Sequence, residues 1–546
     1  MLMNRTICIF LSVLSGLLLS LAWWDGFSGL FLCIALIPLL IVEDFYAKNI
    51  FKPSFDIFWF SFISFFLWHC INLWWLAIAT LVGAFTVILT NSILYSLIFW
   101  FFHYSKKVTG LKNGNLYLIV YWVAFEYLYL NTEISWPWLY LGNGFSQSVK
   151  LIQWYEFTGT LGGTLWVLIV NILLVNIVIE YIKKRSFYSV RKNIGISLIF
   201  FLIPIMISYI IFYTCQEKIN PVSITIIQPN IDPYKDKFEG MHPQQQLDLL
   251  LDEAAKASES DIDYFVGPET AIQGINFENK LDTNLAVKSI RTFLQKYPKT
   301  NFVIGAETSR EFLPGEILPV TARKAKNKDI FYEVYNSALQ IDTSALVQIY
   351  HKSKLVVGVE TMPYLRYFQF LERFTLNFGG TTEGLGSQDY RGTFTSKSSN
   401  IVVGPVICYE SIYGEFVTGY AKNGANILFV ITNDGWWGDS PGYRQHLNYS
   451  RLRAIESRRS IARSANTGIS AFINQKGEIT EKLGWGKRGY LKSSINSNNK
   501  LTFYVRYGDY IGRIALYFSL LTFCYLFWLK ARQKHGKIEI SRKPIK

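Results

Sequence analysis

One cysteine, at the end of an apolar run, has both the residue type and the position needed for covalent chemistry. Cys408 lies in the run Pro405-Val-Ile-Cys-Tyr-Glu410, far from the other cysteine outside the long apolar segments, Cys215. A thiol buried in apolar surroundings is inert, whereas one at a strand end beside polar groups can lose its proton and attack a carbonyl carbon. Cys408 is therefore the leading nucleophile, with a core packing residue as the alternative.

Two other polar residues also follow apolar, strand-like runs. Glu269 follows Tyr264-Phe-Val-Gly-Pro268, and Lys352 follows Leu346-Val-Gln-Ile-Tyr-His351. A carboxylate can accept the thiol proton, and a fixed ammonium group can stabilise a thiolate and a developing oxyanion. Taken singly, Glu269 could be a turn or helix-cap residue and Lys352 an exposed surface charge. Together with Cys408 they predict a catalytic carboxylate, cation and thiol.

The composition indicates that these residues belong to a membrane-bound chain. Of the 546 residues, 50% are hydrophobic and 17% are charged, against roughly 25% charged in soluble globular proteins. Apolar runs of about spanning length lie near residues 6–22, 27–42, 56–75, 77–102, 115–130, 163–182, 193–214 and 509–529. A cleaved signal peptide is the alternative for the first run, but no A-x-A-like cleavage site is evident. We predict about eight transmembrane helices, seven before a large polar segment and one after it.

Basic residues predict the orientation, because lysine and arginine are retained in short cytoplasmic loops. If the spans alternate, most basic loop residues and the basic C-terminal tail fall on one side, and the short loops opposite carry Lys150. The polar segment then lies outside. We predict a transmembrane domain over residues 1–214, an external catalytic domain over 215–505, and a C-terminal helix with a cytoplasmic tail over 506–546.

Charge and cysteine content exclude several classes of function. The net charge of +14 does not indicate nucleic-acid binding, because much of it lies in the cytoplasmic loops and tail, where topology and anionic lipid explain it. No disulfide framework is expected, since four of the six cysteines lie in apolar runs and no C-x-x-C spacing occurs. No metal cluster is visible, and no cofactor is expected, because an activated thiol needs none.

The polar segment alternates strand-like and helical patterns. Short β-branched runs occupy 222–228, 264–266, 301–304, 401–403 and 427–431. One helical pattern begins after Pro243, with Leu247, Leu250 and Ala254 on one face, and an arginine-rich one covers about 444–462. Such alternation predicts an α/β domain.

The ordered motifs around these three residues resemble the Glu-Lys-Cys triad of the nitrilase superfamily. The motifs are Gly267-Pro-Glu269-Thr-Ala271, Tyr350-His-Lys352-Ser-Lys-Leu355 and Ile407-Cys-Tyr-Glu410. With the predicted spans, nearly the whole chain is similar to the membrane-bound branch, the apolipoprotein N-acyltransferase family. Further segments typical of that branch are Trp136-Pro-Trp-Leu139, Asn433-Asp-Gly-Trp-Trp-Gly-Asp-Ser440, Arg453-Ala-Ile-Glu456 and Arg463-Ser-Ala-Asn-Thr-Gly468. The resemblance implies an external α-β-β-α sandwich.

The chain departs from the family pattern at two motifs. Gly267 stands where the family commonly has tryptophan before Pro-Glu, so an aromatic wall beside the base is expected to be missing. The run Leu355-Val-Val-Gly-Val-Glu360 replaces a frequent Leu-Val-Pro-Phe-Gly-Glu, with the spacing from Lys352 kept. Glu360 is therefore expected to be a second carboxylate that orients the lysine or helps proton transfer.

The resemblance implies an acyl exchange in two steps, without metal or cofactor. Cys408, deprotonated by Glu269, would attack an ester of a phospholipid, implied to be phosphatidylethanolamine at its sn-1 chain. Lys352 and a backbone N–H would hold the oxyanion, and a thioester would remain. The α-amino group of a diacylglyceryl-modified N-terminal cysteine of an apolipoprotein would then take the acyl chain. The implied setting is the bacterial inner membrane, with a monomeric enzyme whose catalytic domain faces the periplasm.

Further residues are predicted to support this site. Tyr409 and Glu410 adjoin the nucleophile and either shape its pocket or pack at the strand end. Trp436 and Trp437 are predicted as a lid or lipid contact, with core packing as the alternative. The aromatic segment 363–374 is predicted to be a membrane-touching arm, and Glu126, within the fifth span, to face a protein interior, in structural pairing rather than at a lipid head group.

Two other functions remain open from the sequence. A membrane-tethered nitrilase-type amidase would use the same three residues on water or a small amide. A non-enzymatic transporter or assembly scaffold would explain the spans without the triad, but would leave the ordered motifs coincidental.

Overall fold

The structure is a computed structural model that describes residues 3–49, 52–110, 114–237, 240–257, 261–274, 276–325, 329–364 and 384–541, with side chains to residue 532. The predicted arm at 363–374 lies almost wholly outside the described residues. A helical unit comes from both ends of the chain, and an α/β unit comes from the part between them.

The helical unit is built from long apolar helices with short connecting helices. Its members are α1 (Arg5–Ser20), α2 (Leu32–Ala35), α3 (Ile37–Lys48), α4 (Asp56–Leu73), α5 (Leu76–Ala79), α6 (Leu81–Thr109), α7 (Leu116–Tyr129), α8 (Tyr155–Lys184) and α9 (Phe187–Thr214). Within the described residues, seven helical segments, including one near the C-terminus, are long and apolar enough to cross a membrane. The span predicted near 115–130 is the shorter α7, whose 14 residues extend about 21 Å at ~1.5 Å per residue.

Glu126 of α7 is fully buried inside this unit, as predicted. Its carboxylate accepts hydrogen bonds from Trp122 Nε1 at 3.0 Å, Thr164 Oγ1 at 2.7 Å and the backbone N–H of Leu141 at 3.3 Å. Because these donors come from α7, α8 and the loop between them, the carboxylate has a structural pairing role, which was the favoured prediction.

The α/β unit contains two sheets. In the described part of the chain, the first sheet has seven strands in the order β13-β1-β2-β3-β5-β4, with β6 also paired to β5. Its members are β1 (Pro221–Gln228), β2 (Tyr264–Val266), β3 (Asn301–Glu311), β4 (Arg323–Lys324), β5 (Phe331–Ile341), β6 (Gln348–His351) and β13 (Gly489–Asn496). The strands β1, β2 and β3 are parallel, so their carboxyl ends share one edge.

The second sheet has six described strands in the order β12-β11-β10-β9-β8-β7. They are β7 (Phe394–Thr395), β8 (Val402–Ile407), β9 (Ile427–Thr432), β10 (Ile461–Ala465), β11 (Ser470–Ile473) and β12 (Ile479–Leu483). The strands β8, β9 and β10 are parallel. All five predicted strand runs fall on or overlap β1, β2, β3, β8 and β9.

The sheets pack face to face, with helices on their outer faces. Tyr264 and Val266 of β2 belong to the core shared with the second sheet, whereas Phe265 between them packs with α10 (Pro243–Lys256) and α11 (Leu285–Leu294). This alternation is the period of two expected of a strand buried on both faces. The second sheet carries α12 (Gly414–Lys422) and α13 (Pro441–Ser457), which completes the predicted α-β-β-α sandwich.

The arginine-rich helix ends earlier than predicted. The helix α13 stops at Ser457 because Arg458 adopts a left-handed backbone, with φ of 49°, and β10 begins at Ile461. After β13 the chain forms α14 (Phe503–Tyr507) and α15 (Tyr510–Ser541), which returns to the helical unit beside α7.

Candidate active site

Glu269, Lys352 and Glu360 form one buried cluster at the carboxyl ends of β2 and β6. The Lys352 ammonium lies 2.9 Å from Glu269 Oε1 and 2.9 Å from Glu360 Oε1, and 1% of its side chain is exposed. The backbone N–H of Val356 donates to the other oxygen of Glu360 at 2.7 Å. The alternative of an exposed surface lysine is therefore wrong, and Glu360 does contact the lysine.

Two asparagines complete the surroundings of the Glu269 carboxylate; Asn433 begins one of the family-like segments, whereas no sequence pattern marks Asn336. Asn336, in the middle of β5, donates from Nδ2 to both Glu269 Oε1 and Glu360 Oε1 at 2.8 Å. The backbone N–H of Asn433, which directly follows β9, donates to Glu269 Oε2 at 3.1 Å. Both oxygens of Glu269 are thereby fixed.

The loop that carries Glu269 fits closely against β3. A Cβ atom on Gly305 would lie 2.5 Å from Glu269 Cα, so only glycine allows this approach. The next residue, Thr270, has a left-handed φ of 47°, and its hydroxyl accepts a hydrogen bond from the buried ammonium of Lys237. Burial lowers the pKa of Lys237 to about 8. Lys237 was also not identified from the sequence.

Cys408 occupies the first position after β8, in a strained turn. Its φ is 47°, a left-handed value that costs a non-glycine residue about 1–2 kcal/mol, and it begins the short helical turn Cys408–Ile412. Such strain at a strand end is typical of functional residues. The residues on either side of Cys408 are joined, because the Glu410 carboxylate accepts a hydrogen bond from the Ile407 N–H at 2.8 Å.

The charges of the cluster act on the Cys408 thiol. Burial raises the pKa of the thiol, the negative charge of Glu269 raises it further, and the positive charge of Lys352 opposes both. For Glu269, burial raises the carboxyl pKa, but the ammonium of Lys352 and its hydrogen bond lower it more, so the net direction is down. The resting site therefore holds a neutral thiol beside a carboxylate and an ammonium group.

A second buried network lies behind the cysteine. Asp434 Oδ1 accepts from His446 Nδ1 at 2.8 Å, and its Oδ2 lies 2.5 Å from Arg463 Nη2. His446 Nε2 in turn lies 2.9 Å from Ser411 Oγ and 3.2 Å from the Cys408 carbonyl oxygen. The network joins the loop after β9, α13 and β10 to the backbone of the cysteine turn.

Glu410 and Tyr409 hold the cysteine turn in place. Glu410 is fully buried and accepts from Tyr350 OH at 2.6 Å and the Ser353 N–H at 2.7 Å, which ties the cysteine turn to the lysine loop. The Tyr409 hydroxyl donates to the Ser135 carbonyl oxygen at 2.9 Å, and its ring packs on Trp136. Tyr409 thus joins the turn to the helical unit.

The two tryptophans predicted as a lid have different surroundings. Trp437 packs on Trp75 and Trp138 of the helical unit, with ring centroids 4.8 and 5.7 Å away. Trp436 contacts Tyr234, whose hydroxyl donates to the Trp436 carbonyl oxygen at 2.9 Å. Trp437 therefore contributes to the junction of the two units, and a lid or lipid contact stays a prediction. Among the described residues, no group of three or more histidine, cysteine or acidic residues could hold a metal ion.

Comparison with known proteins identifies the two units separately. The carbon-nitrogen hydrolase family matches residues 223–499, and the apolipoprotein N-acyltransferase N-terminal domain family matches residues 15–173. Among solved structures, an amidase from Nesterenkonia sp. has a TM-score of 0.34 and 17% identity, covering 52% of this chain and 92% of the amidase.

Curated relatives match over nearly the whole chain. The apolipoprotein N-acyltransferase of Chlorobaculum tepidum is 30% identical over 522 residues, which cover 93% of this chain and 94% of the relative. Apolipoprotein N-acyltransferase 1 of Treponema denticola is 25% identical over 553 residues, covering 95% and 96%. With both units matched in order along the chain, the protein belongs to the apolipoprotein N-acyltransferase family, within the nitrilase superfamily.

Proposed function

We propose that this acyltransferase takes an acyl chain from a phospholipid onto Cys408 and passes it to the α-amino group of a diacylglyceryl-modified N-terminal cysteine. One observation supports the proposal. The buried Lys352 ammonium is held 2.9 Å from the carboxylates of Glu269 and Glu360. The charges of Lys352 and Glu269 act with opposite signs on the pKa of the Cys408 thiol, which lies at a strained strand end. Base, cation and nucleophile are the groups that acyl transfer through a thioester needs.

In the first half-reaction, the Cys408 sulfur attacks the ester carbonyl carbon of the phospholipid. Because the resting thiol is neutral, its proton moves to Glu269 as the C–S bond forms. The tetrahedral oxyanion is stabilised by the Lys352 ammonium and a backbone N–H near the cysteine. The C–O bond then breaks, Glu269 returns the proton to the leaving oxygen, and a lysophospholipid departs from a thioester.

Proton transfer to Glu269 changes the bonding of Lys352. A neutral Glu269 attracts the ammonium less strongly than the carboxylate does, while Glu360 keeps its charge and its contact with Lys352. The ammonium is then available to the oxyanion at the moment that negative charge develops there, which is the condition for useful electrostatic stabilisation. Glu360 is therefore a positioning residue for Lys352.

In the second half-reaction, the α-amino group of the acceptor attacks the thioester carbonyl. Glu269 accepts a proton from the attacking nitrogen and delivers it to the departing sulfur, so the N-acylated product leaves Cys408 as a thiol. The phospholipid, proposed to be phosphatidylethanolamine at its sn-1 chain, and the acceptor are both lipid-anchored. Apolar helices joined to the α/β unit keep the thiol within reach of both.

We propose that the enzyme works as a monomer in the bacterial inner membrane, with the α/β unit on the periplasmic side. The basic residues of the loops opposite that unit support this orientation. Labelling whole cells with a membrane-impermeant amine reagent is expected to modify the exposed Lys235 but to modify Lys107 only after lysis. Labelling of Lys107 in intact cells would indicate the opposite orientation.

The thioester is tested by mass spectrometry of purified protein incubated with phosphatidylethanolamine. We expect a fatty-acyl adduct on the Cys408 peptide, absent in Cys408→Ala, that disappears when a diacylglyceryl lipopeptide is added, with N-acyl lipopeptide as the product. Folded protein without any adduct would refute the thioester. An adduct released only to water would indicate an amidase-like hydrolase instead.

A further inference from the structure

A cavity of about 350 Å³ lies at the junction of the two units, and its lining does not include Glu269, Lys352 or Cys408. Its walls come from the end of the first apolar helix, the end of α4 and the first turns of α13. The lining residues on which its chemistry depends are Trp24, Asp25, Asn72, Trp74, Arg444 and Gln445. The volume is in the range of small-ligand sites.

Arg444 and Asp25 lie side by side in the cavity wall, and the same guanidinium lies 3.6 Å from Asp439 Oδ1 through its Nη2. Arg444 Nη1 lies 2.7 Å from Asp25 Oδ2, and the two side chains are 44% and 58% exposed. Arg444 comes from the α/β unit and Asp25 from the helical unit, so the pair forms only where the units meet. A planar guanidinium matches a phosphate group in hydrogen-bond geometry, and a carboxylate accepts hydrogen bonds from an ammonium group.

The positions of two tryptophans predict that this pair lies at the depth of lipid head groups. Trp24 and Trp74 follow the ends of apolar helices and are 43% and 50% exposed. Exposed tryptophans at the ends of spans are typical of the membrane–water interface. The cavity therefore opens where a lipid presents its phosphate rather than its acyl chains.

The wall behind the pair is fixed and polar. Gln445 Oε1 accepts from Trp138 Nε1 at 2.7 Å, and its Nε2 lies 3.5 Å from the Asn72 carbonyl oxygen. The neighbouring Trp23 Nε1 donates to Tyr449 OH at 3.0 Å. A ligand would thus enter a preformed site, which reduces the entropy lost on binding.

We propose that this cavity binds the zwitterionic head group of a phospholipid, with the phosphate at Arg444 and the ammonium at Asp25. On binding, the Arg444–Asp25 ion pair is replaced by two charge-assisted contacts, one between Arg444 and the phosphate and one between Asp25 and the ammonium group. An anionic head group would meet Arg444 favourably but would be repelled by Asp25. The site therefore selects zwitterionic over anionic lipid.

Lipid binding to the full-length protein tests the proposal. In a Cys408→Ala background, native mass spectrometry would measure the affinity and number of bound dioleoyl phosphatidylethanolamine and dioleoyl phosphatidylglycerol molecules. We expect one phosphatidylethanolamine molecule to bind about tenfold more weakly in Arg444→Gln and in Asp25→Asn, the size expected for one charge-assisted contact. Asp25→Asn is expected to strengthen phosphatidylglycerol binding.

The control is Arg513→Gln, which removes an ion pair of similar exposure, with Glu415, elsewhere on the protein. It should leave both affinities unchanged. If the Arg444–Asp25 pair only stabilised the junction of the two units, the affinities for both lipids would change by the same factor in the two variants. That result would overturn the proposal, and so would unchanged affinities in both variants. Because the readout is binding in a protein without the thiol, failure here would leave the proposed thioester chemistry untouched.

Discussion

At the scale of single residues, Glu269 has two opposed effects on the thiol. It is the proposed acceptor of the proton, yet its charge raises the pKa of Cys408 and offsets the charge of Lys352. A resting thiolate is therefore disfavoured until a substrate carbonyl is present. A buried neutral thiol is also less susceptible to oxidation, because susceptibility follows thiolate character and exposure.

The first prediction concerns the sign of this effect. Glu269→Gln removes the charge that raises the Cys408 pKa and leaves Lys352 less compensated, so iodoacetamide should alkylate Cys408 faster. At pH 8 we expect the alkylation rate to rise by about tenfold, as for the loss of one nearby like-signed charge, while thioester formation falls by at least ~100-fold. Peptide mass spectrometry gives both rates, with the half-buried Cys215 as the internal reference. Slower alkylation in the variant would show that Glu269 already deprotonates the resting thiol.

The second prediction separates Glu360 from Glu269. Glu360→Gln keeps an oxygen for Lys352 but removes its charge and the acceptor for the Val356 N–H, so the ammonium is held less firmly. We expect thioester formation to slow by about 10- to 100-fold, as for a small misplacement of a catalytic group, with phospholipid affinity unchanged. Single-turnover kinetics against lipid concentration measure the two separately.

The matched control for that variant is Glu278→Gln. Glu278 pairs with His351, the neighbour of Lys352 in sequence, at 2.7 Å, but in the described part of the chain it does not contact the Lys352 ammonium. A rate within about threefold of the parent is expected, because the charge that Glu278→Gln removes does not hold that ammonium. An equal loss in both variants would mean that Glu360 has no specific effect on Lys352.

At the scale of elements, the site depends on strand ends that come from both sheets. Glu269 follows β2, Lys352 follows β6, Cys408 follows β8 and Asn433 follows β9. Parallel strands bring their carboxyl ends to a common edge, and packing the two sheets face to face brings the two edges together. The network from Asp434 through His446 and Arg463 then ties the second edge to α13.

The third prediction tests that network by pH. The Arg463 and His446 contacts overcome burial and lower the pKa of Asp434 to about 2, from an ordinary 3.8. Its folded pKa is below its unfolded pKa, so it stabilises the protein above about pH 4 and loses this effect as pH falls towards 2. The shift corresponds to about 2 kcal/mol of unfolding free energy.

Melting temperatures of the parent and Asp434→Asn between pH 7 and pH 3 would measure this contribution. The difference between the two proteins should be largest at neutral pH and shrink on acidification. Asp439→Asn, in the same loop but 65% exposed, should track the parent at every pH. A difference in melting temperature that does not depend on pH would show that the charge of Asp434 does not cause the stabilisation.

Local patterns in the sequence predicted the elements and the strand ends, because period and turn chemistry depend on neighbouring residues. They located Cys408, Glu269 and Lys352 by their positions after apolar runs. They did not find Asn336, which lies in the middle of β5 and meets Glu269 across 67 positions of sequence. Contacts of this kind depend on the register between strands, which period alone does not specify.

Buried ionic residues were missed for a related reason. Lys237 and His446 lie in no motif that the sequence analysis named, and Asp434 and Arg463 were found only as members of family-like segments. The burial and mutual contact of these side chains follow from the packing of separate elements. The end of α13 was also placed too late, since nothing in the composition marks the left-handed backbone of Arg458. Helical periodicity is a weak guide to the last turn of a helix.

At the scale of the whole molecule, the two units share polar contacts as well as apolar packing. Arg458, directly after α13, donates from Nε to Glu156 Oε2 at 2.9 Å and from Nη1 to Gln153 Oε1 at 2.7 Å. Glu156 lies in the first turn of α8 and Gln153 just before it, both in the helical unit. Tyr409 and Trp437 contact the same unit nearer the thiol, so the position of the Cys408 thiol relative to the apolar helices depends on this junction.

The fourth prediction follows from the geometry of that guanidinium. Arg458→Lys keeps the charge but cannot make the forked contacts, because an ammonium has no planar set of donors. We expect the free energy of unfolding to fall by about 1–3 kcal/mol. The rate of acyl transfer to a lipopeptide should fall with it, whereas the rate of thioester exchange with a short-chain soluble ester should be nearly unchanged.

Arg451→Lys is the matched control, since Arg451 is on α13 and its Nε donates to the Gly477 carbonyl oxygen within the α/β unit. Equal losses on the lipid-anchored and soluble substrates in Arg458→Lys would mean that the junction stabilises the fold without positioning the thiol at the membrane.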